Sequence, residues 1–160
     1  MVLRFIQQIL LVALVLCRML CSPAMLASEL EGLTTEEKES VQQAKDAEQR
    51  LKLYLEIAEA RLKEIVLHTR KLDRENSAKA VSGFRTAVSG ADDCVAKEQS
   101  DGKAYRKLVT QLHKAMKKYN FVLLHALDKA AEDFRKYIQS AYEVSQRVQD
   151  SAEIQMARFR

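Results

Sequence analysis

Three side chains late in the chain have the types and spacing that could hold a metal: His125, Asp128 and Glu132. Steps of three and four residues put an imidazole and two carboxylates on one side of a helix. Inward-facing sets of that kind build metal sites in helical bundles. Glu64 and His68, four apart, could contribute from a second helix. Position argues against the site. The trio falls nearly opposite the apolar residues of its own helix and is expected on a solvated face. His68, His113 and His125 include no pair at metal-ligand spacing, and Cys-x-x-Cys is absent. Cys94 falls on an apolar, small-residue row and is expected to be buried rather than nucleophilic. Gly-rich phosphate loops, serine elbows and paired-carboxylate motifs are absent too. The expectation is a chain with no catalytic residue, no metal and no cofactor. A metal-binding helical bundle or an enzyme is the competing reading.

A second pattern is electrostatic. Lys103, Arg106, Lys107, Lys114, Lys117 and Lys118 lie within 16 residues that contain no acid. On a helix they share a sector roughly 120° wide, opposite Tyr105, Leu108, Leu112 and Met116. Such a face can bind an anionic membrane surface or a polyanionic glycan. It can equally be a solvated face paired with acids elsewhere, such as Glu36, Glu37 and Glu39. The five tyrosines, Tyr54, Tyr105, Tyr119, Tyr137 and Tyr142, fall mostly on apolar stripes. They read as packing residues with hydroxyls at a rim rather than as a ligand channel.

The elements that carry these residues are helical. Gly and Pro number 4 and 1 in 160 residues, and Ala, Leu, Glu, Lys and Arg are abundant. Thr34 and Glu37 have capping-box spacing. An apolar stripe runs through Val41, Ala44, Leu51, Leu55, Ala58, Leu62, Ile65, Thr69 and Leu72, interrupted at Glu48. It predicts one helix over about 35–73. The alternation in "LKLYLEI" comes from a second apolar face, Leu53, Ile57, Ala60 and Leu67. A helix apolar on two sides needs two neighbours: both can lie within the chain, or one is a second copy or a protein partner, which makes this the possible partner face.

A turn around Asp73–Ser77, with Ser77 as a possible cap, or else a continuous helix with a stutter, leads to a helix over about 78–99. Val81, Phe84, Val88, Ala91 and Val95 form its apolar row. Ala80, Gly83, Ala87, Gly90 and Cys94 form a row of small residues that permits close approach, although Gly83 and Gly90 weaken the helix. Ser100–Gly102 marks a turn. A long helix over about 103–157 follows, continuous or bent near Asn120. The sum is an all-α fold: an elongated bundle or hairpin of three to four antiparallel amphipathic helices with coiled-coil-like packing, residues 28–160 forming one domain.

The N-terminus resembles a secretory signal peptide: Arg4, then the apolar run Ile9–Cys17, then small residues, with cleavage expected near Ala24 or Ala27. An uncleaved anchor or a lipoprotein modified at Cys21 are the minority alternatives. Cleavage after Ala27 removes Arg4, Arg18, Cys17 and Cys21, taking Lys+Arg from 26 to 24 against 22 acids. One cysteine then remains, so no internal disulfide is expected. The balanced charge and the export signal both disfavour nucleic acid as a partner. The expected function is that of an exported, periplasmic or secreted, non-catalytic protein acting by protein–protein or self-association. Binding of an anionic envelope surface is the alternative.

Overall fold

The computed structural model describes residues 32–98 and 102–159. The expected signal peptide and most of the Ser100–Gly102 turn lie outside them. Among the described residues the chain is all-α, with five helices packed on one another: α1 Thr35–Gln43, α2 Ala47–Arg70, α3 Arg74–Lys97, α4 Lys103–Lys129 and α5 Glu132–Ala157.

Caps decide the boundaries, and they correct three of the expected ones. The Thr34–Glu37 capping box opens α1: Glu37 N–H donates to Thr34 Oγ1 at 3.2 Å and Thr34 N–H to Glu37 Oε2 at 2.8 Å. The expected 35–73 helix then breaks at Ala44–Asp46. Ala44 is extended, and Asp46 caps a new helix by accepting from Gln49 N–H at 2.8 Å. The 78–99 helix starts earlier, at Arg74. Asp73 is its cap, accepting from Asn76 N–H at 3.1 Å. Ser77, expected as that cap, is buried within the helix and donates to the Asp73 carbonyl at 2.6 Å. The 103–157 helix breaks at Ala130–Ala131, both extended, and not at Asn120. Lys129 before the break and Glu132 and Asp133 after it match the polarity of a helix end followed by a helix start.

Short links fold the chain back on itself. Cys94 Sγ, late in α3, lies 3.4 Å from the Ala47 carbonyl at the start of α2. Tyr105 Oη, early in α4, donates to Gln155 late in α5 at 2.9 Å. Across these pairs, Glu48–Lys107 at 2.6 Å and Glu59–Lys118 at 3.0 Å hold α2 beside α4 in the same direction. Arg74–Asp133 at 2.6 Å ties the starts of α3 and α5. Arg61 joins α1 to α2, placing its guanidinium 2.8 Å from both Glu37 oxygens.

The core lies where the four long helices meet. Phe84, Ile65, Leu112, Met116, Leu123 and Ile138 are fully buried there. Tyr119 packs edge-to-face on Phe84, ring centres 5.9 Å apart, and donates its hydroxyl to the Leu55 carbonyl at 2.8 Å. Burial, with the nearby Glu59 charge, pushes the Tyr119 phenol far above its ordinary value. The small-residue row works as expected. A Cβ on Gly90 would lie 2.4 Å from Tyr54 Cε1, and α3 stays helical through both glycines.

One residue is strained. Leu72, after the end of α2, has φ 57°. Asp73 N–H donates to the His68 carbonyl at 3.0 Å and Leu72 N–H to the Thr69 carbonyl at 3.3 Å. That is a Schellman motif whose left-handed position is normally glycine. A left-handed leucine costs about 1–2 kcal/mol, and its side chain is 60 % exposed, so burial returns little. Leu72→Gly is therefore expected to stabilise the fold by about 0.5–1 kcal/mol, after the added unfolded-state entropy of glycine. Thermal unfolding checks it: a Tm rise of about 2–4 °C is expected, and a fall would contradict the account.

Candidate binding face on helix α4

The residues weighed as a metal site do not come together. The break at Ala130–Ala131 puts His125 and Asp128 on α4 and Glu132 on α5, all exposed, and Glu132 pairs with Arg135 at 3.5 Å. Glu64 turns to Arg61 at 3.1 Å, and His68 Nδ1 lies 3.6 Å from Asp73. Among the described residues no group of three His, Cys, Asp or Glu side chains could hold a metal ion. Cys94 is buried, and burial raises its thiol pKa, so the reactive thiolate is suppressed.

Half of the possible partner face is used inside the chain. Ile57 is buried in the core and Leu53 is half-buried against it. Only Ala60 and Leu67 of that face stay exposed. With helices on two flanks of α2, the Leu53 and Ile57 half of its second apolar face is covered by its own chain.

The basic face of α4 divides in two. Lys107 and Lys118 turn toward α2 and pair with Glu48 and Glu59, so the neutralising acids are those of α2 rather than Glu36, Glu37 or Glu39. The Lys118 ammonium holds the Glu59 carboxyl below its ordinary range, chiefly through its hydrogen bond. Arg106 lies over the Phe159 ring, 5.1 Å from its centre. Lys103, Lys114 and Lys117 are exposed and form no direct ion pair among the described residues, although Glu153 of α5 lies within the field of Lys117 and Lys114 borders a hollow shared with Glu48, Glu56 and Glu59 of α2.

Two residues missing from the sequence reading complete this outer face. Phe121 is 75 % exposed and Leu124 is 48 % exposed. At roughly 100° per residue, Lys103, Lys114, Lys117 and Phe121 fall within about 60° of one another, with Leu124 at one edge. The signal was present in "NFVLLHA": four consecutive apolar residues exceed what one buried face can take, and Val122 and Leu123 are the two that turn inward. The arrangement is a stripe of unpaired ammonium groups that ends in an aromatic ring and an isobutyl group. It offers cations and an apolar wedge, with no group placed for covalent chemistry.

Elsewhere, burial and then the Asp93 charge push the Asp92 carboxyl above its ordinary value. A raised acid binds its proton more tightly in the folded state. Its contribution to stability is present at low pH and is lost as pH rises through the folded value. Asp92→Asn is thus expected to raise Tm by a few degrees at neutral pH, with the gain fading near pH 4. A gain that grows on acidification would contradict the assignment.

Among the described residues, no helix is long and apolar enough to cross a membrane. Comparison with protein-family models, with curated proteins and with solved structures returned no match.

Proposed function

We propose that this chain is an exported, non-catalytic helical protein that binds an anionic envelope membrane through the outer face of α4. In this reading α2 to α5 form a bundle of two antiparallel hairpins with coiled-coil-like packing, and the bundle serves as a rigid support for that face. The observation that carries the proposal is the exposure of Phe121 and Leu124 in line with the unpaired Lys114 and Lys117. Lysines draw a surface toward anionic headgroups, and apolar side chains between them enter the headgroup boundary. The single acid on this stripe, Asp128, lies at its far end. Sedimentation with vesicles tests the proposal. Binding to phosphatidylglycerol-containing vesicles is expected, with weak binding to phosphatidylcholine alone and strong loss between 0.05 and 0.5 M salt. Equal binding to both lipids, or none, would overturn it.

A second reading rests on a different place. The exposed, strained Leu72 lines a hollow with Val66, Ala126, Ala130 and Ala131, rimmed by Thr69, Arg70 and Lys129, and Leu67 is exposed on the same last turn of α2. This end of the molecule suits self-association, one of the two partners that the apolar face containing Leu67 admits. A concentration-independent monomer in analytical ultracentrifugation would remove that reading and leave the first intact.

A further inference from the structure

On the side away from the α2–α4 contact, a shallow, open groove of about 610 Å³ runs between α3 and α5. Three cations line it: Arg85 from α3, and Lys136 and Arg147 from α5. No Asp or Glu does. The walls between them carry hydroxyls, from Ser82, Ser89 and Ser140 and from Tyr137. The regularity has a simple cause. Ser82, Arg85 and Ser89 step along one stripe of α3, and Lys136, Ser140 and Arg147 along one stripe of α5. The parallel pairing fixed at Arg74–Asp133 sets those stripes facing each other.

Neither guanidinium is neutralised by the fold. Arg85 and Arg147 are exposed and make no ion pair or hydrogen bond among the described residues. The Lys136 ammonium lies over the Tyr137 ring at 5.2 Å and has no carboxylate partner among the described residues. From the α3–α5 pairing, Arg85 sits about one turn along the axis from Arg147, on the opposite wall. Lys136 lies roughly 16 Å from Arg147, three turns away on the same wall. Two forked donors therefore bracket one end of the groove and a point charge marks the other.

We propose that this groove is a binding site for an acidic oligosaccharide, a glycan bearing carboxylate or sulfate groups. Three properties select that class. Cations spread over about 16 Å suit an elongated ligand with separated charges rather than one compact phosphate. Hydroxyl-bearing walls both donate to and accept from sugar hydroxyls. Tyr137, the one aromatic ring among the described lining residues, is already faced by Lys136 and packs beside Phe134 at 5.9 Å, so it offers no free platform for stacked bases. The volume is within the usual range of ligand clefts.

Isothermal titration of the full chain tests the site with four probes of matched length: a sulfated glucosamine–uronate oligosaccharide, an oligogalacturonate, a neutral malto-oligosaccharide and a single-stranded oligonucleotide. Binding of at least one acidic glycan is expected, weakening with salt, and the tighter of the two identifies sulfate or carboxylate as the group read. Arg85→Gln with Arg147→Gln should weaken it at least tenfold while helicity and Tm hold. Lys114→Gln with Lys117→Gln, on the α4 face, should leave it within twofold, which separates this site from the membrane proposal. Failure of both acidic glycans to bind, tighter binding of the oligonucleotide or equal binding of the neutral glycan would overturn the assignment. So would affinity that the arginine pair leaves unchanged.

Discussion

Phe84→Ala is expected to cost the fold about 3–5 kcal/mol, the usual range for removing a buried phenyl ring. Phe84 is fully buried on α3, and its ring meets Tyr119 of α4 edge-to-face. Tyr119 in turn donates to a carbonyl of α2, so three helices converge on this pair. Deleting the ring opens a cavity, forfeits an aromatic contact of about 0.5–1.5 kcal/mol and loosens the seat of the buried hydroxyl. Against a total stability of about 5–15 kcal/mol for an ordinary domain, the loss is a large fraction. Urea unfolding should show a lower midpoint with an unchanged slope. Phe121→Ala, by contrast, should fall within about 0.5 kcal/mol of the parent, because its ring touches mainly water. If the two variants proved equally costly, the packing described here would be wrong.

The second large effect concerns binding. Lys114→Gln with Lys117→Gln should lower partitioning onto anionic vesicles about 30-fold, at about 1 kcal/mol for each lysine near the surface. Adding Phe121→Ser should remove a further tenfold or more, at about 1.5–3 kcal/mol for a phenyl ring withdrawn from the interface. None of the three side chains holds the fold together, so Tm should stay close to that of the parent. Lys118→Gln is the internal control. It breaks a pair with Glu59 on the α2 side and is expected to affect vesicle binding less than either outer lysine. A triple variant that binds as the parent does would leave the membrane proposal without its physical basis.

Particular residues explain what the sequence disclosed and what it concealed. The helical class was legible because Gly and Pro are scarce and the apolar stripes are long. The Thr34–Glu37 cap was legible because its spacing is diagnostic. The breaks at Ala44–Asp46 and Ala130–Ala131 were not, since alanine propagates a helix and neither site carries Gly or Pro. Their marks were weaker: Asp46 three residues before Gln49, and Lys129 before Glu132–Asp133. The second apolar face of α2 was real as a pattern, but periodicity cannot say who covers it. The chain's own helices cover Leu53 and Ile57. The basic segment was legible as charge, yet its division between an α2-facing half and an open half depends on which flank α2 occupies. The α3–α5 groove was invisible, because Arg85, Lys136 and Arg147 meet only through tertiary pairing.

The most direct test of the membrane proposal uses a feature of composition. The chain contains no tryptophan, so Phe121→Trp supplies a single indole at the centre of the proposed contact. Its emission should shift to the blue when the protein is mixed with phosphatidylglycerol vesicles, and return on raising salt to 0.5 M. An indole that keeps its water-exposed spectrum while the protein sediments with those vesicles would show that the outer face of α4 is not the surface that binds.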